Sequence, residues 1–349
     1  MKLQKVTRQM PVKRLLATVI VISSFSLLGW GSVLFVRYLQ TLNPRELGNH
    51  SSPIMDCRLL PGTNRVATMS YTHICICDSN GKNPLFLAGH RAPITAIDRT
   101  PDGKTLISSS LDGTIKFWDI DNGTESSKLE IEKGGEVLNT VLDSSGKLMA
   151  TLSSLKNVWY VTVWDLETRK NLRRSKVGNN QLHRVSFDAT GNQLAFGSAT
   201  GDVYCWNWKY EEGPQIIVGG EARKGPIFAT AFRPGRSELA IGGKQRVIKI
   251  IDLVTKAKVK ELYGHWGEIN RLHFSPDGTT LISASSDFSV GIWDLAAGSL
   301  SAQHRHHPSQ VMALDCDFLT DRMLTGGYGP STKLWRGFLS RYRYGSINR

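Results

Sequence analysis

One unit returns along this chain at a near-constant period, and that recurrence limits its fold more than any other feature. The clearest copy runs from Gly264 to Asp294 and reads as three short strands joined by tight turns. Ile269 to Phe274 alternates apolar and polar as a half-buried strand does, and Ser275-Pro276-Asp277-Gly278 follows as a turn in which Pro fixes φ and Gly supplies a positive one. Residues 281–285 and 290–293 form the next two strands, split by a turn at Ser286-Asp287. Gly89-His90 to Trp118-Asp119 repeats the unit with the same 28-residue step from His to Trp. Aligning the remaining units by their Gly turns gives the pairs Cys77-Asp78, Trp164-Asp165, Trp206-Asn207, Ile251-Asp252 and Trp335-Arg336. Counted across all seven pairs the intervals are 41, 46, 42, 45, 42 and 42 residues. A period of this size marks supersecondary units that bury their apolar faces only by stacking on neighbours.

With Gly-His at one end, Trp-Asp at the other and Asp287 between, the unit resembles the WD40 repeat of Trp-Asp β-propellers. The resemblance implies an all-β, seven-bladed propeller of four-stranded blades over residues 48–349. Units two and six carry both signature ends. Unit three has about three extra residues near Leu155 to Trp159, unit four has Thr200 in place of the turn Asp, unit five has Gln245 there, and unit seven has Gly329. Arg45-Glu46-Leu47 resembles Lys260-Glu261-Leu262, which suggests that the N-terminal segment supplies the outer strand of the last blade. Phe338 to Tyr344 competes for the same place, and the sequence leaves both open.

The second informative stretch is N-terminal. Leu15 to Val36 carries no charge, and 22 residues of helix span roughly 33 Å, enough to cross a bilayer core. The expected organisation is a basic flank at 1–14, a single transmembrane helix acting as signal anchor at 15–37, a short linker at 38–47 and then the propeller. Five Lys or Arg in the first 14 residues against Arg37, Arg45 and Arg58 after the span predict a cytoplasmic N-terminus and an extracytoplasmic propeller. Cleavage after Gly29-Trp30-Gly31 is the competing reading, but the apolar run continues past that site.

Net charge matters only once it is located. Of the formal +13, Lys2, Lys5, Arg8, Lys13, Arg14 and Arg37 contribute six, leaving +7 on the remainder. That balance, with no basic track interleaved with aromatics, predicts no nucleic-acid partner. The cysteines, at 57, 75, 77, 205 and 316, are odd in number and lack zinc spacing, so they read as apolar filler.

Three sets of residues bear on function. His265, Ser283 and Asp287 have the composition of a hydrolase triad, yet His90, Ser108 and Asp112 repeat it in unit two. The resemblance to the family implies a structural polar network instead, running Trp293–Ser283–His265–Asp287, Trp118–Ser108–His90–Asp112 and, without the acid, Trp335–Thr325–His307. His304-Arg305-His306-His307 is the one His cluster, and a metal role for it is disfavoured. No dinucleotide or phosphate-loop spacing occurs, so no cofactor and no catalysis are expected. The family also implies partner binding on the face where the His loops and turn Asp residues gather, which places Arg91, Lys224, Lys244, Trp266, Glu268, Gln310 and Tyr328 there. Two large aromatics with charges of both signs suit a protein or peptide partner. The reading is a membrane-anchored, non-enzymatic scaffold, monomeric within a larger complex. Its alternatives are a cytoplasm-facing regulator and an enzyme or ligand binder using the central channel.

Overall fold

Seven antiparallel four-stranded sheets form the described part of the chain. The computed structural model describes residues 44–47, 52–219, 225–329 and 332–339, so the segments at 1–14 and 15–37 lie outside the described residues. Among the described residues no helix is long and apolar enough to cross a membrane. Each sheet is a blade; in six of them the strands follow chain order from the axis outward, and in the seventh the first three do. The inner strands are Asp56–Leu59, Ile94–Arg99, Glu136–Leu142, Leu182–Phe187, Ile227–Phe232, Ile269–Phe274 and Val311–Asp317. Each touches the next, and the seventh touches the first, so they ring a central channel.

The blades hold together because their Ile, Leu, Val and Trp side chains meet between neighbouring sheets. One apolar cluster lies at each of the seven interfaces among the described residues. Trp293, for example, packs with Ile250, Ile269 and Phe274 across blades five and six. Burying each such side chain contributes about 1.5–3 kcal/mol, which no single blade could collect alone.

Ring closure is made by the N-terminal segment. Arg45–Leu47 pairs antiparallel with Thr332–Arg336, Leu47 facing Thr332, and becomes the outer strand of blade seven. Leu47 is buried with Ile54, Leu59, Ala313 and Leu334 in the cluster joining the last blade to the first. Lys333 Nζ adds an ion pair to Glu46 at 3.0 Å. The compact unit therefore starts at Arg45, three residues before the boundary drawn from the Gly turns, because the strand belongs to the sheet it pairs with. Of the rival closer at 338–344, Phe338 packs beside Trp335 in the cluster between blades six and seven, and residues 340–344 lie outside the described residues.

In blade three the extra residues lengthen a hairpin. Leu148–Leu155 and Val158–Asp165 are eight-residue strands joined by Lys156 and Asn157, both at positive φ (51° and 62°), the conformation a two-residue hairpin turn needs.

Candidate functional site

The residues read as a polar network do meet. In blade six the Trp293 indole N–H donates to Ser283 Oγ at 2.8 Å, Ser283 Oγ lies 2.7 Å from His265 Nε2, and His265 Nδ1 lies 2.8 Å from Asp287 Oδ2. One neutral tautomer satisfies every link: the indole donates to serine, serine to Nε2, and Nδ1–H to the carboxylate. Asp287 also accepts the backbone N–H of Trp266 at 2.9 Å and bonds from Ser289. Its carboxyl is accordingly held well below the ordinary range, burial being outweighed by those hydrogen bonds and by His265. Gly291 is required beside this chain, since a Cβ there would sit 2.8 Å from Ser283 Oγ and 2.9 Å from both His265 Nε2 and Trp293 Nε1.

Blade two builds the same chain from Trp118, Ser108, His90 and Asp112, with links of 2.8, 2.8 and 2.9 Å. Asp112 accepts the backbone N–H of Arg91, and its carboxyl is lowered to about 2: burial opposes, but bonds from Thr114, Arg91 and His90 prevail. Blade seven stops one link short. Trp335 donates to Thr325, which lies 2.8 Å from His307 Nε2, and Gly329 stands where the acid would be. Burial, with Lys333 nearby, lowers the His307 imidazole to about 4. These chains are buried and internally satisfied, so they fix loops rather than present a nucleophile.

What they fix is the upper face, where the His loops and Asp turns lie. Trp266, 73% exposed, follows His265 and carries the Arg305 guanidinium 5.1 Å from its ring centroid. Arg91, Lys244, Gln310 and Tyr328 are exposed and Glu268 half-buried, while Lys224 lies outside the described residues. Glu268, Gln310 and Tyr328 line one cavity of about 330 Å³ at the mouth of the channel; Arg91, Lys244 and Trp266 do not line it.

Sequence reading missed two aromatics of this face. Tyr71, in the second-to-third-strand turn of blade one, lies beside Tyr328 of blade seven, and burial together with that neighbour raises its phenol above the ordinary value. Phe288 sits at φ 71° where blade two has Gly113 at φ 81°, and its ring is 45% exposed. A bulky residue in the left-handed region costs on the order of 1–2 kcal/mol, and burial does not repay it here. Aligning units two and six by residue type exposes Phe288 against Gly113, so that signal was present in the sequence.

The floor of the cavity was also missed. In blades two to seven the inner strand shifts register within its first residues, a bulge that re-aims the side chain beside it. The bulges put Thr95, Leu138, His183, Phe228, Asn270 and Met312 at the channel mouth. Below them charges cross the channel. Asp56, fully buried, takes Arg58 at 2.8 Å and Arg184 at 3.0 Å; Arg58 also reaches Asp98 at 3.1 Å, and Arg99 reaches Asp315 at 3.2 Å. Burial alone would raise the Asp56 carboxyl, but the two guanidinium groups hold it below its ordinary value.

Among the described residues no group of three or more His, Cys, Asp or Glu is placed to hold a metal. His304 and His306 both pack against Trp335, while His307 points to Thr325. All five cysteines are free thiols.

Residues 81–119 and 256–294 match the family model described as WD domain, G-beta repeat. Those two segments match the WD40 repeat. Proteins of varied description are similar to this chain. It is 25% identical over 261 residues to guanine nucleotide-binding protein subunit beta-1 of Nicotiana tabacum, covering 69% of each chain. It is 26% identical over 275 residues to the transcriptional corepressor LEUNIG_HOMOLOG of Arabidopsis thaliana, covering 76% of this chain and 33% of that one. Periodic tryptophan protein 2 of Arabidopsis thaliana is 23% identical over 215 residues, 61% of this chain and 23% of that protein. The match thus spans only a minor part of the last two. Such WD40 propellers suggest a protein-interaction scaffold.

Proposed function

We propose that this protein is a non-enzymatic scaffold whose upper face binds a protein partner while its N-terminal segment tethers it to a membrane. The observation that carries the reading is the set Tyr71, Trp266, Phe288 and Tyr328, exposed on one face across blades one, six and seven. Exposed aromatics beside Arg305 have the composition of a binding hot spot. Phe288 adds a reason for selection: a strained turn with an exposed ring has no folding benefit to explain it. Non-enzymatic action is supported by relay groups consumed by one another and by the scaffold roles of related propellers.

The tether rests on sequence alone: an uncharged stretch of bilayer length with basic residues before it. It would confine the encounter to a membrane surface and raise the effective concentration of a co-resident partner. Charge asymmetry favours an extracytoplasmic propeller. The five free thiols suit the opposite side equally well.

Two experiments test this. A photo-crosslinker at position 266 of the full chain should capture a discrete partner, and the Trp266→Ala/Phe288→Gly double variant should lose that partner from affinity capture. Undiminished capture by the variant moves the interface off this face. A compartment-restricted reporter after Arg349, compared with a chain lacking residues 1–38, should report outside the cytoplasm from the membrane fraction; activity inside reverses the orientation.

A further inference from the structure

The channel mouth carries one guanidinium that the fold leaves without an anion. Arg184 and Arg271 approach from blades four and six and converge on a single carbonyl, Met55 O, at 3.4 and 2.8 Å. Arg184 is neutralised by Asp56, but Asp56 is shared with Arg58. Arg271 donates only to backbone oxygens, Met55 O and Asn270 O at 2.7 Å, and its Nε is buried without a partner. Among the described residues it forms no ion pair, Glu268 on the same rim included. Four guanidinium groups, on Arg58, Arg99, Arg184 and Arg271, therefore meet three paired carboxylates, on Asp56, Asp98 and Asp315, while a fourth carboxylate, Glu268, lines the rim without an ion pair to any of them among the described residues.

Arg271 could simply brace blade six against blade one. A brace needs neither a second cation on the same carbonyl nor an open cavity above it, and both are present. The cavity, about 330 Å³, is large enough for one side chain, and its walls offer Leu138, Phe228 and Met312 to the methylene groups of that side chain. Bringing two like charges to one oxygen raises the local potential, and an arriving anion is bound in proportion.

We propose that the channel mouth is a carboxylate-binding site, in which Arg271 takes the side chain of an Asp or Glu from a partner segment lying across the upper face. One carboxylate supplies the ion-pair partner that Arg271 lacks, whereas a phosphate dianion brings a second negative charge toward Glu268 on the same rim. Arg271 still has donors free for a carboxylate, which a guanidinium engages with paired N–H groups. Tyr328 lines the mouth and belongs to the aromatic set, so an acidic residue flanked by apolar ones could fill the cavity and cover the aromatics together.

This rests on the upper face being the recognition surface, and a small probe tests the anchor separately. Acetyl-Glu-N-methylamide is titrated into the purified full chain at fixed ionic strength and followed by ligand-observed NMR. The neutral acetyl-Gln-N-methylamide and inorganic phosphate serve as comparison arms. Saturable binding of the Glu probe is expected, about ten-fold tighter than the Gln probe, the scale of one charge-assisted hydrogen bond. Arg271→Gln, checked as folded by circular dichroism, should abolish that preference. Glu268→Gln, which removes a rim charge while keeping shape, should tighten the Glu probe several-fold. Equal binding of Glu and Gln probes, a preference surviving Arg271→Gln, or tighter binding of phosphate each overturns the proposal. If Arg271→Gln does not fold, the response to Glu268→Gln decides. Loss of the carboxylate preference with partner capture intact removes the anchor alone; the converse removes only the aromatic interface.

Discussion

Blade six and blade four solve one problem in two ways. Each buries a tryptophan whose indole N–H must find an acceptor. In blade six the indole bond opens a chain that ends on the turn carboxylate, and that carboxylate holds the N–H of Trp266. In blade four the Trp206 indole donates to Glu211 O at 3.1 Å, in the loop at the opposite end of the blade. Among the described residues the Ser198 and Thr200 hydroxyls bond only one another and Asp202, and beyond the strand ladder one backbone bond, Ala199 N–H to Gln181 O, ties the turn to the preceding loop. Satisfying the indole is thus obligatory, but reaching the binding face is not. The full relay occurs where the loop it fixes carries exposed groups, Trp266 in one case and Arg91 in the other.

The largest effect should fall where distant blades share one buried charge. Asp56→Ala strands Arg184 of blade four beside Arg58 of blade one and should cost about 3–5 kcal/mol in chemical denaturation. Asp287→Ala orphans His265 and the Trp266 N–H, and a loss of about 1–3 kcal/mol is expected. The matching change in blade four, Thr200→Ala, should cost under about 1 kcal/mol, since Asp202 is already exposed to solvent in part. Equal losses at 287 and 200 would dissolve the distinction between the two blades.

Acid separates the relays next. His307 has no carboxylate, and its lowered pKa means the unfolded chain binds the proton first. The stability this contributes is full above the ordinary histidine value and falls as pH drops toward about 4. Asp112, lowered to about 2, contributes stability above the ordinary aspartate value that is lost as pH falls through about 2. NMR titration should therefore find His307 ionising below His90, whose burial is opposed by Asp112. The reverse order would mean that the turn acid does not set the imidazole's charge. Smallest is Phe288→Gly, which restores the residue blade two uses. Relief of strain and the entropy of glycine nearly cancel, so stability should move by less than about 1 kcal/mol while partner capture drops.

Much of the fold was legible because its signals are local. Trp293, Ser283 and His265 lie within one repeat, and the residue types that satisfy a buried indole recur at one spacing in blades two, six and seven. The extra length near Leu155 showed as a stretched interval, and the structure spends it on a longer hairpin. The candidate face was only partly legible. Trp266 and Tyr328 follow from their positions beside His loops and turns, but Phe288 shows only when unit six is aligned with unit two and Gly113 falls opposite it, and Tyr71 lies in unit one, where Cys77 replaces the Trp.

The sequence by itself determined the number of repeats, and its family resemblance pointed to the relay residues, because each of these signals lies within about one repeat. Only the tertiary structure decided which segment closes the ring, and that the channel is crossed by arginines. Arg184 reaches Asp56 across 128 residues, and Arg271 reaches Met55 across 216. No periodicity encodes such meetings: they exist once seven inner strands surround one axis, and closure then brings their charges face to face.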